Sequence, residues 1–229
     1  MTSQEHPELL LLSGLAADAS IFDPQKDAFP ELRVLEWEIP SGTDTLDSYS
    51  RKLAEQIETQ EGTIIGGASF GGIVAQHMAE HVNPVAVILI GSIRSPSELP
   101  FYARAARPLR WLVPFLPIRL LQFCAAPFAS RAAQRIAPHI VRVIRQFRGA
   151  DATVIKWSLA RVLDWKTVPQ VNCPVFHIHG RRDFVLPARY TSPDRFIERG
   201  RHVISLTHPE EVNEFIRELI GTTQDDTNS

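Results

Sequence analysis

Thr63-Ile64-Ile65-Gly66-Gly67-Ala68-Ser69-Phe70-Gly71-Gly72-Ile73 is the stretch on which the fold of this 229-residue chain turns. Thr63-Ile64-Ile65 reads as a buried strand and Ile73 to Val82 as a helix, and the residues between them hold Gly-x-Ser-x-Gly at Gly67, Ser69 and Gly71. The pattern fits a nucleophile elbow, in which a serine sits on a strained strand-to-helix turn and small residues two places on either side keep the backbones from colliding. The following helix aims its unpaired N–H groups and positive dipole end at a reacting oxygen. Gly-x-Ser-x-Gly arises often by chance, and the flanking strand and helix give it its weight.

Outward from the elbow, apolar runs alternate with helical periodicity. Leu9 to Leu12, closed by Ser13-Gly14, reads as a strand buried on both faces, and Arg33 to Trp37 is a second strand. Leu46, Tyr49, Leu53 and Ile57 are spaced as one helix face behind Asp44 and Thr45, either of which can cap it. Val85 to Ile90, Val175 to Ile178 and the weaker Arg195 to Ile197 continue the strands, and Pro209 to Ile220 reads as a terminal helix with acids in its first turn. Alternation of this kind predicts an α/β fold: a doubly wound, mostly parallel sheet of about six strands with helices on both faces.

Charge divides the chain more sharply than its net −2 suggests. Residues 1–93 hold 4 Lys/Arg against 14 Asp/Glu, residues 94–161 hold 12 against 2, and residues 162–229 hold 8 against 10. The basic middle also carries seven of the 17 prolines, and proline interrupts the helical ladder, so short helices are expected there. Residues 1–93 and 162–221 then form the core, 94–161 a basic helical insertion, and 222–229 a frayed polar tail.

With 44% apolar and 22% charged residues the chain can bury a sizeable core, which argues against disorder, collagen and coiled coil. Cys124 and Cys173 stand far apart without a CxxC or Cys/His cluster, so neither a disulfide framework nor a structural zinc site is expected. The opening residues lack the basic start and long apolar run of a secretory signal, which predicts a cytoplasmic protein. Gly62 to Ala79 is uncharged over a membrane-spanning length, but its glycines with Ser69, Gln76 and His77 make a poor lipid-facing helix.

Serine needs a base to take its proton, so a downstream acid and histidine are required in the order Ser, Asp/Glu, His. Asp183, just past the strand ending at His177-Ile178-His179-Gly180, lies where sites assemble on a parallel sheet, with Asp164 and Asp194 in reserve. His202 and His208 are the histidine candidates.

At these residues the chain resembles the α/β-hydrolase family over nearly all of residues 8–221. In that family the catalytic histidine follows a glycine-rich turn after the last strand, about seven residues before a Pro-Glu helix start. His202 to Pro209-Glu210 matches this register, so the resemblance implies His202. It also implies an oxyanion hole from the backbone N–H groups of Leu15 and Phe70, although Ser13-Gly14-Leu15 replaces the usual His-Gly-x and loses a side chain that often braces the loop. The expected activity is a serine hydrolase acting on a carboxylic ester or acyl thioester through Ser69, Asp183 and His202, with no metal or organic cofactor. Non-hydrolytic chemistry such as carbon–carbon cleavage or elimination is the alternative, and a non-catalytic binding module a weaker one.

Residues 94–161 enter where family members carry a helical cap. Trp111 to Phe123 supply apolar side chains to cover an acyl chain, or to pack the lid onto the core. Arg131, Arg135, Arg142, Arg145 and Arg148 fall close to one helical face if the helix continues through Pro138. They form either a solvated face or a surface for an anionic partner: an acyl-carrier protein, a coenzyme A thioester or an acidic membrane. Nucleic acid is not expected. His177-x-His179 and the His77/His81 pair have metal-site spacings but no further ligand in view, and the glycines lack GxxxxGK[ST], so no metal or nucleotide site is expected.

Overall fold

Four leucines, Leu9–Leu12, form strand β1 and are all buried, as a strand covered on both faces requires. The computed structural model describes residues 7–59, 62–130, 134–135 and 138–227. β1 lies between β2 (Leu32–Leu35) and β3 (Ile64–Ala68), with β4 (Ala86–Ile90), β5 (Val175–Gly180) and β6 (Arg195–Ile197) following beyond β3. Every pairing is parallel. The result is the doubly wound six-stranded sheet that the alternating pattern predicts.

Side chains alternate across the pleat. Leu9, Leu11, Ile64 and Ile88 enter one layer with Phe22, Val212 and Ile216, whereas Leu10, Leu12, Ile65 and Val87 enter the other with Tyr49, Met78 and Trp157. The flanking helices are α1 (Asp23–Ala28), α2 (Leu46–Glu55) and α3 (Phe70–Val82). Thr45 caps α2: its hydroxyl accepts from Ser48 N–H at 3.1 Å while Ser48 Oγ accepts from Thr45 N–H at 3.0 Å. Asp44, the other cap candidate, takes Lys52 Nζ at 2.6 Å instead.

Between β4 and β5 the chain runs through α4 (Phe101–Ala105), α5 (Ile118–Cys124), α6 (Pro138–Gly149) and α7 (Ala152–Asp164), joined by 3₁₀ turns at Pro96–Glu98, Arg107–Phe115 and Ala126–Ala129. Proline is the first or second residue of each of these 3₁₀ turns and the first of α6, where its missing N–H costs nothing. After β6 come α8 (Ile204–Thr207) and α9 (Pro209–Thr227). Where a polar tail is expected from residue 222, α9 continues to Thr227. Thr222 and Thr223 return their hydroxyls to the carbonyls of Glu218 (3.0 Å) and Leu219 (3.2 Å) rather than leaving the helix.

β2 and β3 flank β1 on opposite sides, so the connections leaving β1 and β3 part from one another. A crevice opens at the carboxyl ends of these two strands, the usual position of a site in an open parallel sheet.

Candidate active site

Ser69 stands between β3 and α3 with φ 50° and ψ −121°, a left-handed conformation that a residue with a Cβ adopts only under strain. Both its backbone groups are held: Ser69 N–H donates to Ile90 O at 3.1 Å, and the buried Ser92 hydroxyl donates to Ser69 O at 2.6 Å. Gly71 is required by close approach, since a Cβ there would lie 2.3 Å from the carbonyl oxygens of both Leu12 and Ser13. Phe70 opens α3, so its N–H precedes the helical ladder and has no acceptor within the helix.

The loop leaving β1 lies against this turn. A Cβ built on Gly14 would approach Ser69 Cβ to 3.3 Å. Ser13 does the bracing that its sequence reading denied it: its hydroxyl donates to Ala17 O at 2.9 Å and accepts from Trp37 Nε1 at 2.8 Å. The Trp37 ring in turn stacks on Phe70 at 5.5 Å. Trp37 and Ser92 are site-supporting residues that sequence reading missed. Their bonds span 24 and 23 residues, beyond any local pattern.

The structure brings Ser69, Asp183 and His202 together. Asp183 Oδ2 accepts from His202 Nδ1 at 2.7 Å, and His202 Nε2 lies 3.0 Å from Ser69 Oγ. A carboxylate can only accept here, so the imidazole proton sits on Nδ1 and the Nε2 lone pair receives the serine O–H. Asp183 Oδ1 accepts from the N–H groups of Val185 (2.7 Å) and Leu186 (2.9 Å), which fixes the carboxylate in a tight turn. Glycine at 180 is what lets this turn meet the histidine loop: a Cβ there would lie 2.3 Å from Arg201 O. The other candidates are engaged elsewhere. Asp164 pairs with Arg110 and Arg161, Asp194 accepts from His177 N–H at 2.7 Å and pairs with Arg94, and His208 bonds the Thr207 hydroxyl at 2.9 Å.

His177 and His179 are both fully buried beneath the Asp183 turn. Leu186 O can only accept, so His179 carries its proton on Nε2 (2.8 Å) and its Nδ1 accepts from His177 Nε2 at 3.2 Å. His179 Nε2 also lies 3.4 Å from Asp183 Oδ2, which makes the pair a buried support of the acid turn. Burial pushes His177 down to about 3, and lowers His179 as well. His77, facing the other layer, accepts from Trp165 Nε1 at 3.1 Å and is lowered by burial to about 4. Its helix neighbour His81 faces Asp47 instead, at 3.3 Å.

These depressed values set a direction for acid stability. Unfolded histidine takes up a proton near pH 6.5 while His77 and His177 stay neutral in the fold, so their contribution is complete above that pH and is lost as pH falls toward about 4. Urea unfolding should show stability falling by roughly 1.4 kcal/mol per pH unit for each such histidine between pH 6 and 5. His77→Gln, whose amide oxygen still accepts from Trp165, should remove about one histidine's share of that slope. An unchanged slope would mean that His77 titrates alike in both states.

A cavity of about 390 Å³ opens beside Ser69 and His202. Leu15, Ala17 and Ile21 line it from the β1 side, Val143, Ile144 and Phe147 from α6, and Val203 and Ile204 from the histidine loop. This corrects the expectation for Trp111 to Phe123, which neither line the cavity nor pack inward as a group: Val113 and Ile118 are buried, while Trp111, Leu112, Phe115, Leu116, Leu120, Leu121 and Phe123 are exposed. The arginine row is described only in part. Arg142, Arg145 and Arg148 lie on α6, which starts at Pro138, while Arg131 and the two residues that separate Arg135 from α6 lie outside the described residues. Arg142 contacts Asp23 Oδ2 and Arg145 contacts Ala129 O, and neither lines the cavity.

The model of the alpha/beta hydrolase family matches residues 9–215. No curated protein matches the sequence. Among solved structures, a hydrolase from Pseudomonas aeruginosa PA01 is similar at 20% identity and a TM-score of 0.72, over 96% of this chain and 91% of the other. A thermophilic esterase from Thermogutta terrifontis has 19% identity and a TM-score of 0.68, over 94% and 89%. A thioesterase from the prodiginine biosynthetic pathway of Streptomyces coelicolor has 15% identity and a TM-score of 0.54, over 93% and 84%. At such identities the likeness is one of fold.

Proposed function

The chain belongs to the alpha/beta hydrolase family, and from that premise we propose that it is a serine hydrolase of carboxylic esters or acyl thioesters with an apolar acyl part. The observation that carries the reading is the continuous chain from Ser69 Oγ through His202 to Asp183, at 3.0 and 2.7 Å. Ser69 Oγ attacks the acyl carbonyl as His202 Nε2 takes its proton, and Asp183 stabilises the imidazolium. The carbonyl oxygen becomes an oxyanion held by Leu15 and Phe70 N–H groups, each such donor being worth about 100- to 1,000-fold in rate. His202 then passes the proton to the departing alkoxide or thiolate, leaving an acyl-Ser69 ester. Water attacks that ester with His202 as base, and the free acid and Ser69 are regenerated.

The apolar lining beside Ser69 supports an apolar acyl group. On this reading residues 94–161 act as a helical cap over a core of 1–93 and 162–221, contributing α6 to the acyl pocket. The substrate is a small molecule, presented free, as a coenzyme A or carrier-protein thioester, or from a membrane. The reading keeps the enzyme in the cytoplasm, where the free thiols of Cys124 and Cys173 stay reduced. No described helix is long and apolar enough to cross a membrane.

Reaction with a fluorophosphonate, followed by mass spectrometry of the labelled peptide, tests the activated serine. Stoichiometric labelling at Ser69 is expected, abolished by His202→Ala and retained by His208→Ala. A folded protein whose Ser69 stays unlabelled by a small probe would overturn the proposal.

A further inference from the structure

Between Glu98 and Asp151 the chain has no acidic residue and nine arginines. The same segment exposes large apolar side chains: Trp111 by 64%, Phe115 by 77%, Phe123 by 76% and Phe128 by 65%. Isolated exposed apolar residues are ordinary, but a concentration of this kind marks an interaction surface.

The geometry of the short helices explains why these residues face outward. In the 3₁₀ stretch Arg107–Phe115, residues three apart form rows. One row, Arg107-Arg110-Val113, turns to the protein: Arg107 donates to Trp165 O at 3.1 Å, Arg110 pairs with Asp164 at 2.7 Å and Val113 is buried. Another row, Leu109-Leu112-Phe115, is exposed throughout. α5 repeats the division. Ile118 is buried and Gln122 donates inward to Phe147 O (2.7 Å) and Ala150 O (2.8 Å), while Leu120 and Phe123 are left outside. The inward sides pack on the core, and the outward apolar rows stay exposed among the described residues.

We propose that this face docks the protein on an anionic lipid surface, with Trp111, Phe115 and Phe123 at the headgroup–acyl boundary and the exposed Arg104 and Arg119 on the lipid phosphates. Short amphipathic elements rich in Arg, Trp, Phe and Leu suit that boundary. Charge selects the occupant. A second copy would bring a segment with no acid between Glu98 and Asp151 against another of the same positive charge, and the occupant has both cations and exposed aromatic rows to satisfy. An anionic bilayer meets both, and it repels residues 1–93, which carry a net charge of −10, so the segment is oriented toward the membrane. Tyr102, at the edge of this segment, donates to Val185 O at 2.9 Å, beside the exposed Phe184 and the turn that holds Asp183. If the hydrolase reading above holds, docking sets the site at the bilayer surface, where acyl substrates partition.

The test is co-flotation with vesicles of phosphatidylcholine alone and of phosphatidylcholine with phosphatidylglycerol. Partitioning should be at least about tenfold stronger on the anionic vesicles and should weaken as salt shortens the screening length. Trp111 is the exposed one of the four tryptophans, so its fluorescence should shift to the blue on binding, a shift that Trp111→Phe removes. Phe115→Ser with Phe123→Ser should lower partitioning at least about tenfold, with the unfolding midpoint and turnover of a soluble ester unchanged. Ser69→Ala should bind vesicles like the parent, which separates this surface from the catalytic reading. Absence of partitioning onto anionic vesicles at low salt overturns the proposal. A dimer dissolved by the double variant would then assign the face to a second copy, and salt-sensitive turnover of a carrier-protein thioester would assign it to that partner.

Discussion

On the serine-hydrolase proposal, Ser69→Ala should lower kcat/KM by on the order of 10⁴- to 10⁶-fold on an ester substrate, because the residue lost is the one proposed to bond to the acyl carbon. The fold is unaffected, since alanine keeps the Cβ and the backbone bonds from Ser69 N–H to Ile90 O and from Ser92 to Ser69 O remain. Ser69→Gly is the informative companion. It loses the same activity but relieves a backbone held at φ 50° and ψ −121°, so it should be about 1 kcal/mol more stable than Ser69→Ala after glycine's own entropy cost is counted. Stopped assays on the two variants with urea unfolding measure both effects. Wild-type turnover in Ser69→Ala sinks the catalytic assignment, and a Gly variant less stable than the Ala variant denies that strain is stored at the elbow.

Asp183→Asn should lower kcat by about 10⁴-fold with little change in stability. Asn presents an amide where the carboxylate accepted from His202 Nδ1 at 2.7 Å. The imidazole can then hold its proton on Nε2, where it faces Ser69 Oγ as a donor and cannot act as base. Its Oδ1 can still accept from Val185 and Leu186 N–H, so the turn survives. Asp164→Asn should leave kcat within a few fold, since Asp164 pairs only with arginines. Asp194→Asn should act on stability, because Asp194 ties β5 to Arg94 through His177 N–H. Equal rate losses in Asp183→Asn and Asp194→Asn would count against Asp183 as the acid.

The sheet and the elbow were legible because their signals are local. Leu9–Leu12 and Ala86–Ile90 are unbroken apolar runs of strand length, and Gly67, Ser69 and Gly71 sit between a strand and a helix that each announce themselves. Asp183 was legible for a related reason: it follows a strand end, where loops converge on a parallel sheet, whereas His202 stood out from His208 only through the register that the family resemblance implies. Their meeting still needed Gly180, whose role in letting Arg201 O approach has no sequence signature beyond the glycine itself.

By itself, then, the sequence determined the raw material of the sheet and the serine turn, since two-residue and 3.6-residue periodicities and turn residues act within a few positions of one another. It left Asp183 beside the reserve acids Asp164 and Asp194, and only the family resemblance set His202 ahead of His208. Only the tertiary structure decided what braces the site and which way the insertion faces. Ser13 gained Trp37, Asp183 gained the buried His179, and Ser69 gained Ser92 through contacts that no spacing rule connects. In the insertion, apolar residues lie on both sides of elements cut short by proline, so composition favours neither side. Packing against Trp165, Asp164 and the end of α6 took Val113, Ile118 and Gln122 inward, and α6, rather than the aromatic run before it, became a wall of the cavity. Each helix presents one side to the core at a time, and the choice belongs to the neighbours it packs against.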